Sequence, residues 1–302
     1  MAMTESLKRP EPLVSRRNVL GVAVVTSAAM FAGVPVLARE ARGRVPASVD
    51  LQDPAFNMMT LARLQGDISG RISYIYRKGE VVGIAAGRGL PIEDYGKRMY
   101  TFEGGGLRRS RVREDGSIET RSRNWLFYTD PETGEFLDEF ENPYTGEFVA
   151  VPAFRAGISG SVLTVNGPEV RAAFNMQSTV FGRPTLLQYS FLGDTAWVSR
   201  YAFTRWTPPG EDQARTEFTL DVWTCRAEDL FDEALTYVPN TYSWTSQTEF
   251  QTWLAMPDDF EGNQVWSTHG ASSYQLNELP EHFVARSRER MEDLLTDPLA
   301  WD

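Results

Sequence analysis

Few residues in this chain are equipped for proton transfer or nucleophilic attack, and their scarcity limits its chemistry. There are two histidines, His269 and His282, and one cysteine, Cys225. His269 lies in Trp266-Ser267-Thr268-His269-Gly270, read as a polar loop between helical segments. Neighbouring hydroxyls there suit a general acid–base, so His269 is the first catalytic candidate, with a surface histidine as the plainer alternative. Tyr128 is the second proton-transfer candidate. His282 follows Glu281 in the first turn of the last predicted helix and reads as a solvated helix end. Two histidines exclude a three-histidine metal site, and a two-histidine-one-carboxylate site would need both. The lone Cys225 excludes an internal disulfide, c-type haem attachment, cysteine zinc sites and thiolate-held iron–sulfur clusters. It falls in the strand-like run Phe218 to Cys225 and reads as a buried, inert thiol. Gly157-Ile158-Ser159-Gly160 approaches a hydrolase elbow, but Ser161 follows and no helix does. Gly104-Gly105-Gly106 leads into arginine-rich alternation, not a helix, and so reads as a bend and not a phosphate loop. No pair of carboxylates has a distinctive context for glycoside hydrolysis. The expectation is a protein with no metal and no cofactor.

Binding chemistry has more candidates. Aromatic residues make up 12% of the chain, and Tyr74, Tyr76, Trp125, Tyr189, Trp197 and Tyr201 all fall on predicted strands. Lining a cavity, such rings suit a small apolar or aromatic molecule, with core packing as the alternative for any one of them. Arg77, Arg123 and Arg200 are the candidates to hold an anionic group on that ligand.

The elements that position these residues begin after a leader. Ser15-Arg16-Arg17-Asn18-Val19-Leu20 sets paired arginines at the border of an uncharged stretch, Asn18 to Ala38, ending in Val36-Leu37-Ala38. This reads as a twin-arginine signal peptide over residues 1–38. The stretch is long enough to span a bilayer, but Gly21, Thr26, Ser27, Gly33 and Pro35 leave it only mildly apolar. The expectation is export through the twin-arginine translocase to a periplasmic or secreted location, with no stable membrane anchor. The remaining 264 residues (302 − 38) suit a single domain, 39–302. That portion carries 26 basic and 39 acidic residues, a net charge of −13, which repels phosphate backbones and makes nucleic acid an unsuitable partner.

Hydrophobic periodicity predicts a helix over Asp53 to Ile68, capped by Asp53 with Pro54 in its first turn. The period then drops to two. Ile72–Tyr76 and Val81–Ile84 flank Lys78-Gly79-Glu80 as a predicted hairpin, and Arg98 to Glu103 is another short strand. Leu107 to Tyr128 folds about Asp115-Gly116. A two-residue turn there pairs Arg113 with Ile118, Arg111 with Thr120 and Arg109 with Ser122, placing Arg121 and Arg123 on the other face with Glu119. Strands follow at Ser159–Val165, Thr185–Leu192, Ala196–Trp206 and Glu217–Cys225. Gly193-Asp194 sets Leu192 opposite Thr195, Ser190 opposite Trp197 and Gln188 opposite Ser199. Both faces of that hairpin are partly apolar, which predicts cover on both sides. From Ala227 the chain reads as a helical C-terminal segment (227–302), with helices at Glu228–Leu235, Ser246–Met256 and Pro280–Leu295.

One motif repeats. Asp130-Pro131-Glu132-Thr133-Gly134-Glu135-Phe136 recurs 12 residues later as Asn142-Pro143-Tyr144-Thr145-Gly146-Glu147-Phe148. Asp or Asn bonds its own backbone ahead, Pro presets φ and Gly accepts positive φ, so both copies are tight turns. A short strand, Phe136–Phe140, fits between them. Turn chemistry leaves Tyr144 unexplained. With these paired D-P-x-T-G-E and N-P-Y-T-G-E turns, the chain resembles a family of uncharacterised bacterial and fungal proteins, often twin-arginine exported, from roughly Asp53 onward. That resemblance implies no activity and no catalytic residue. The strand pattern is also similar to lipocalin-like barrels.

The fold class expected is therefore mainly β: an antiparallel up-and-down barrel or strongly curved sheet, with an N-terminal helix and C-terminal helices. Three functions fit it. One is a cofactor-independent isomerase, lyase or hydrolase, the second a carrier or sensor with the same cavity, and the third an envelope interaction protein with a filled core.

Overall fold

Asp53 caps the first helix as its position before Pro54 suggests, its carboxylate accepting the Ala55 amide at 3.0 Å. In the computed structural model, which describes residues 45–86, 91–152, 154–155, 158–171, 179–180, 187–206, 215–296 and 299, this helix is α1 (Pro54–Gln65). The chain continues through β1 (Ser69–Ala85), α2 (Ile92–Tyr95), β2 (Gly96–Val112), β3 (Ile118–Thr129), β4 (Glu139–Glu141), β5 (Phe148–Ala150), β6 (Phe154–Arg155), β7 (Ser159–Thr164) and β8 (Gly167–Arg171). Then come β9 (Thr179–Val180), β10 (Gln188–Leu192), β11 (Thr195–Trp206), β12 (Arg215–Arg226), α3 (Ala227–Phe231), β13 (Asn240–Thr248), β14 (Gly262–Ser273) and α4 (Glu281–Thr296).

Twelve of these strands form one antiparallel sheet in the order β10-β11-β12-β13-β14-β1-β2-β3-β7-β8, with β6 also on β3 and β9 on β11. β4 and β5 make a separate hairpin. The sheet is strongly curved but its pairing does not close among the described residues. The core shows the curl. Ile118 on β3 and Leu163 on β7 share one cluster with Ala196, Val198, Trp223 and Cys225 of β11 and β12, around Met58, Leu61 and Leu64 of α1. Four strands separate β3 from β12 along the sheet. At ~4.8 Å per strand a flat sheet would hold them roughly 24 Å apart, so the sheet must wrap α1 for both to touch it. Two buried polar residues fasten the helix. Asn57 accepts the Leu187 amide at 2.9 Å and the Tyr189 hydroxyl at 3.0 Å. Arg63 donates to the carbonyls of Asp232 and Leu230 at 2.6 and 2.8 Å.

A second concave-face cluster, with Tyr100, Phe102, Tyr128, Trp266 and Leu254, fills the other end of the trough. The convex face carries the third, where Leu107, Trp125 and Phe127 lie under Phe283 of α4.

Several local expectations are corrected. Lys78-Gly79-Glu80 is no hairpin, because β1 runs straight through it, paired on both sides. Gly79 is there for close approach: a Cβ would stand 2.3 Å from the Ser267 carbonyl oxygen and 2.7 Å from the Phe102 ring. Gly104-Gly105-Gly106 is not a bend but mid-strand β2, and at Gly105 a Cβ would meet Phe283 at 2.7 Å. The turn at Asp115-Gly116 is longer than two residues. Only Gly116 takes a positive φ, of 79°, and Asp115 accepts the Ser117 amide instead. The register therefore slips by one: Arg109 faces Arg121 and Arg111 faces Glu119. A one-residue slip moves a whole set of side chains to the other face, so Arg109, Arg111, Arg121 and Arg123 share the convex face. The strand expected over Phe136–Phe140 contracts to a single bridge at Phe136 and the three-residue β4. The helix expected over Ser246–Met256 is the end of β13 plus a 3-10 turn, Thr252–Leu254. The segment from 227 thus contributes two sheet strands as well as helices. The β10–β11 register matches the expected one at all three pairs named. Its two-sided cover does not: Leu192, Trp197, Tyr201 and Phe203 stay exposed on the convex side. Leu186 and Thr185 lie outside the described residues.

Both repeat turns close alike, Gly134 and Gly146 adopting φ of 74° and 72°. Their first residues differ for a physical reason. Asn142 is fully buried and donates Nδ2 to the Leu254 carbonyl at 2.8 Å, which a carboxylate cannot do. Tyr144 packs on the bare face of Gly83 and against Phe250 and Phe260, with the Lys97 ammonium 5.1 Å from its ring centre.

Candidate functional site

Strand alternation puts a polar row in the middle of the concave face. On β1, Ile75 and Arg77 point the same way as Arg108 on β2, Arg200 and Ala202 on β11, Thr219, Asp221 and Trp223 on β12, and Tyr242 and Trp244 on β13. Between α1 and the far aromatic cluster these side chains line a half-open cavity of about 280 Å³, and Leu64, Gln65, Glu217 and Asn240 also border it. That volume sits near the lower end of small-molecule sites, roughly 300–1,000 Å³.

Three guanidiniums share the cavity on different terms. Arg200 lies directly opposite Asp221 across β11 and β12 and donates through Nε at 2.9 Å, with a second bond from Nη2. The other Asp221 oxygen accepts the Tyr242 hydroxyl at 2.6 Å. Arg77 crosses a bare row, with Gly270 and Gly104 its neighbours on either side, and its guanidinium stands 5.2 Å from the Tyr242 ring centre. A Cβ on Gly270 would come within 3.0 Å of the Arg77 stem. Arg108 is tethered by one bond, to the Gln65 carbonyl at the end of α1, at 2.8 Å. The Nε atoms of Arg77 and Arg108 are buried without an acceptor. Among the described residues no carboxylate forms an ion pair with either. Burial, reinforced by Arg77, pushes Arg108 down to about 10, still a cation at neutral pH.

Glu217 sits at one edge of this cavity, its carboxyl receiving the Ser246 hydroxyl. Burial raises it above the ordinary carboxylate value, against the pull of Ser246 and Thr219, and Asp221 adds to the rise. A raised acid stabilises the fold below the unfolded value and loses that contribution as pH climbs through the folded one. Glu217→Gln is therefore expected to remove a loss of stability that wild type shows as pH rises from about 4.5 toward neutrality. Urea midpoints across that range check it, and parallel curves for the two proteins would refute it.

The residues expected from sequence divide between the two faces. Arg77 and Arg200 line the cavity. Tyr189 is on the concave face but bonds Asn57 beside α1. Tyr128 is in the far aromatic cluster, where burial pushes its hydroxyl up to about 12. Tyr74, Tyr76, Arg123 and Trp125 lie on the convex face, Tyr76 beside Glu103 and Trp125 donating to Ser287 at 2.9 Å. Trp197 and Tyr201 are exposed there on β11. His269 is exposed on β14, opposite Lys78, and not in a loop. Glu103 instead gathers His282 at 2.7 Å and Lys78 at 3.2 Å on the convex side. Cys225 is buried in the α1 core and its thiol is raised to about 12 by that burial. In the folded protein at pH 8 alkylation should run about a thousandfold or more slower than in urea, since the thiolate fraction falls from roughly a quarter to ~10⁻⁴. Comparable rates, measured by mass shift, would contradict this burial.

Reading the sequence missed Arg108, Glu217, Asp221, Tyr242 and Trp244. The available signal was an acid in a mostly apolar run, Phe218-Thr219-Leu220-Asp221-Val222-Trp223, beside a strand that carries Arg200.

Fold and cavity together define a class: a mainly β protein whose one strongly curved antiparallel sheet wraps a helix and leaves an arginine-lined cavity on its concave face. The chain belongs to the family described as protein of unknown function (DUF1838), which matches residues 90–299. Arg108 and Arg200 fall inside that range and Arg77 before it. No curated protein matches the chain. No solved structure matches it either. No helix among the described residues is long and apolar enough to cross a membrane.

Proposed function

We propose that this protein binds a small organic anion in the concave-face cavity. The observation that carries the reading is the pair of half-buried arginines, Arg77 and Arg108, whose buried Nε donors have no acceptor. Buried donors left unmade cost about 1–3 kcal/mol each, more when charged, and an anionic group satisfies both donor and charge. Trp223, Tyr242 and Trp244 bring three rings to an otherwise mostly polar lining, and the proposed ligand pairs its charge with an aromatic body. This sharpens the apolar molecule expected from composition into an acid. Native mass spectrometry of the full chain tests it: a bound anionic species is expected, and it should be lost in Arg77→Gln. A bound neutral lipophile, or an empty protein that shows no saturable binding of aromatic acids by calorimetry, would overturn it.

A second reading, acid–base turnover of the bound anion, is supported by Glu217, a cavity carboxyl whose hold on its proton is strengthened by burial. It assigns proton transfer to Glu217, ahead of His269 and Tyr128, which stand away from the cavity. Incubation with the co-purified species should then yield a product that Glu217→Gln does not form. An unchanged ligand mass favours a carrier or sensor. We also propose twin-arginine export, on Ser15-Arg16-Arg17-Asn18-Val19-Leu20 and the uncharged stretch behind it. Replacing Arg16 and Arg17 with lysine should hold the protein in the cytoplasm, and undiminished export would refute the route.

A further inference from the structure

Charge counting at the cavity goes beyond the presence of an anion. Arg77, Arg108 and Arg200 bring three positive charges to one cavity. Asp221 compensates one, and its two oxygens are already committed to Arg200 and to Tyr242. Glu217 is held by the Ser246 hydroxyl and forms no ion pair with any of the three guanidiniums among the described residues. Arg77 and Arg108 are left without a carboxylate partner among the described residues. They arrive from different places. Arg77 rises from the middle of β1 over the bare Gly270–Gly104 row, and Arg108 from the stretch of β2 beside α1, with the Ile75–Gly106 row between them. The two are close enough to repel each other. Both Nε–H groups lack an acceptor. One singly charged group meets one of these cations fully and leaves the other half-buried and unpaired, with its buried Nε–H still unmade.

We propose that the ligand is a doubly charged organic anion, a dicarboxylate or a phosphomonoester on a flat apolar body, bridging Arg77 and Arg108. This rests on the anion-binding reading above. The test is calorimetric titration of the full chain with three probes sharing a benzene ring: benzoate, isophthalate and phenyl phosphate, at pH 7.5 and low salt. At least one dianion should bind about tenfold or more tightly than benzoate. Tighter isophthalate assigns two spaced carboxylates, and tighter phenyl phosphate a compact dianion. Arg108→Gln and Arg77→Gln, each confirmed as folded by its thermal melt, should each bring the preferred dianion to within about threefold of benzoate. Equal affinity for all three probes in wild type overturns the dianion and leaves the anion site standing. A dianion preference that survives both substitutions overturns the bridging. No saturable binding of any probe removes the anion site itself, and this inference with it.

Discussion

Replacing Asp221 with alanine is expected to lower folding stability by about 3 kcal/mol while strengthening anion binding. Removing one partner of a buried ion pair leaves the other charge uncompensated, which costs roughly 3–5 kcal/mol. The Arg200 side chain keeps 22% of its exposure against 4% for Asp221, so the lower end of that range applies. The Tyr242 hydroxyl also loses its acceptor, bonded at 2.6 Å. The opposite sign for binding follows from charge: without Asp221, Arg200 becomes a third uncompensated cation facing the cavity. Urea denaturation at unchanged m-value measures the first effect, and titration with an aromatic acid at a temperature where both proteins are folded measures the second. Asp221→Asn separates them, since its amide oxygen still accepts from Tyr242 while the ion pair is lost. A variant as stable as wild type would show that Asp221 is not what holds Arg200. Weaker anion binding would mean that Asp221 contacts the ligand favourably.

Trp125→Ala should be the most destabilising single change on the convex face, at about 3–5 kcal/mol, with little effect on the cavity. Trp125 is 1% exposed and stacks on Phe283 at 6.1 Å between ring centres and an interplanar angle of 10°. Its indole N–H donates to Ser287 one turn further along α4, so ring and bond together seat that helix. Truncating a buried tryptophan combines lost transfer free energy with a cavity that the surroundings only partly fill. Trp125 faces away from Arg77 and Arg108 across the thickness of the sheet, and anion affinity should stay within about twofold of wild type, a few tenths of a kcal/mol. A folded Trp125→Ala protein that had lost its anion affinity would return this residue to the ligand-binding role that its aromatic character suggested.

Trp125 illustrates why the sequence could nominate site residues but not sort them. A strand with apolar side chains on both faces gives alternation without an inside or an outside. Arg77 and Tyr76 are adjacent in the chain, and the sequence alone did not decide which of them faces the concave side. The decision came from neighbours: Gly270 and Gly104 leave the concave side of β1 bare around Arg77, while α4 covers the convex side near Tyr76. Register mattered as much. Reading Asp115-Gly116 as a two-residue turn split the hairpin arginines between two faces, whereas the Asx-type turn at Asp115 gathers four of them on one. Gly79 and Gly104–Gly106 misled for a related reason. In a sequence, glycine for a turn and glycine for close approach look alike, and only the Ser267 carbonyl and the Phe283 ring distinguish them.

By itself the sequence determined what local chemistry decides. Asp53 and Pro54 start the helix, the paired Asp/Asn-Pro-x-Thr-Gly turns close on their own side chains, Gly193 sets one hairpin in register, and a two-residue period makes the chain mainly β. It also determined, by composition, that one cysteine and two histidines leave little for a disulfide or a histidine-rich metal centre. Only the tertiary structure decided where the chemistry converges. Arg77, Arg108, Arg200, Asp221 and Tyr242 come from five strands spread over 166 positions (77 to 242). Their meeting depends on a curl that wraps both halves of the sheet around α1, and a curl is a sum of long-range pairings that no local period records.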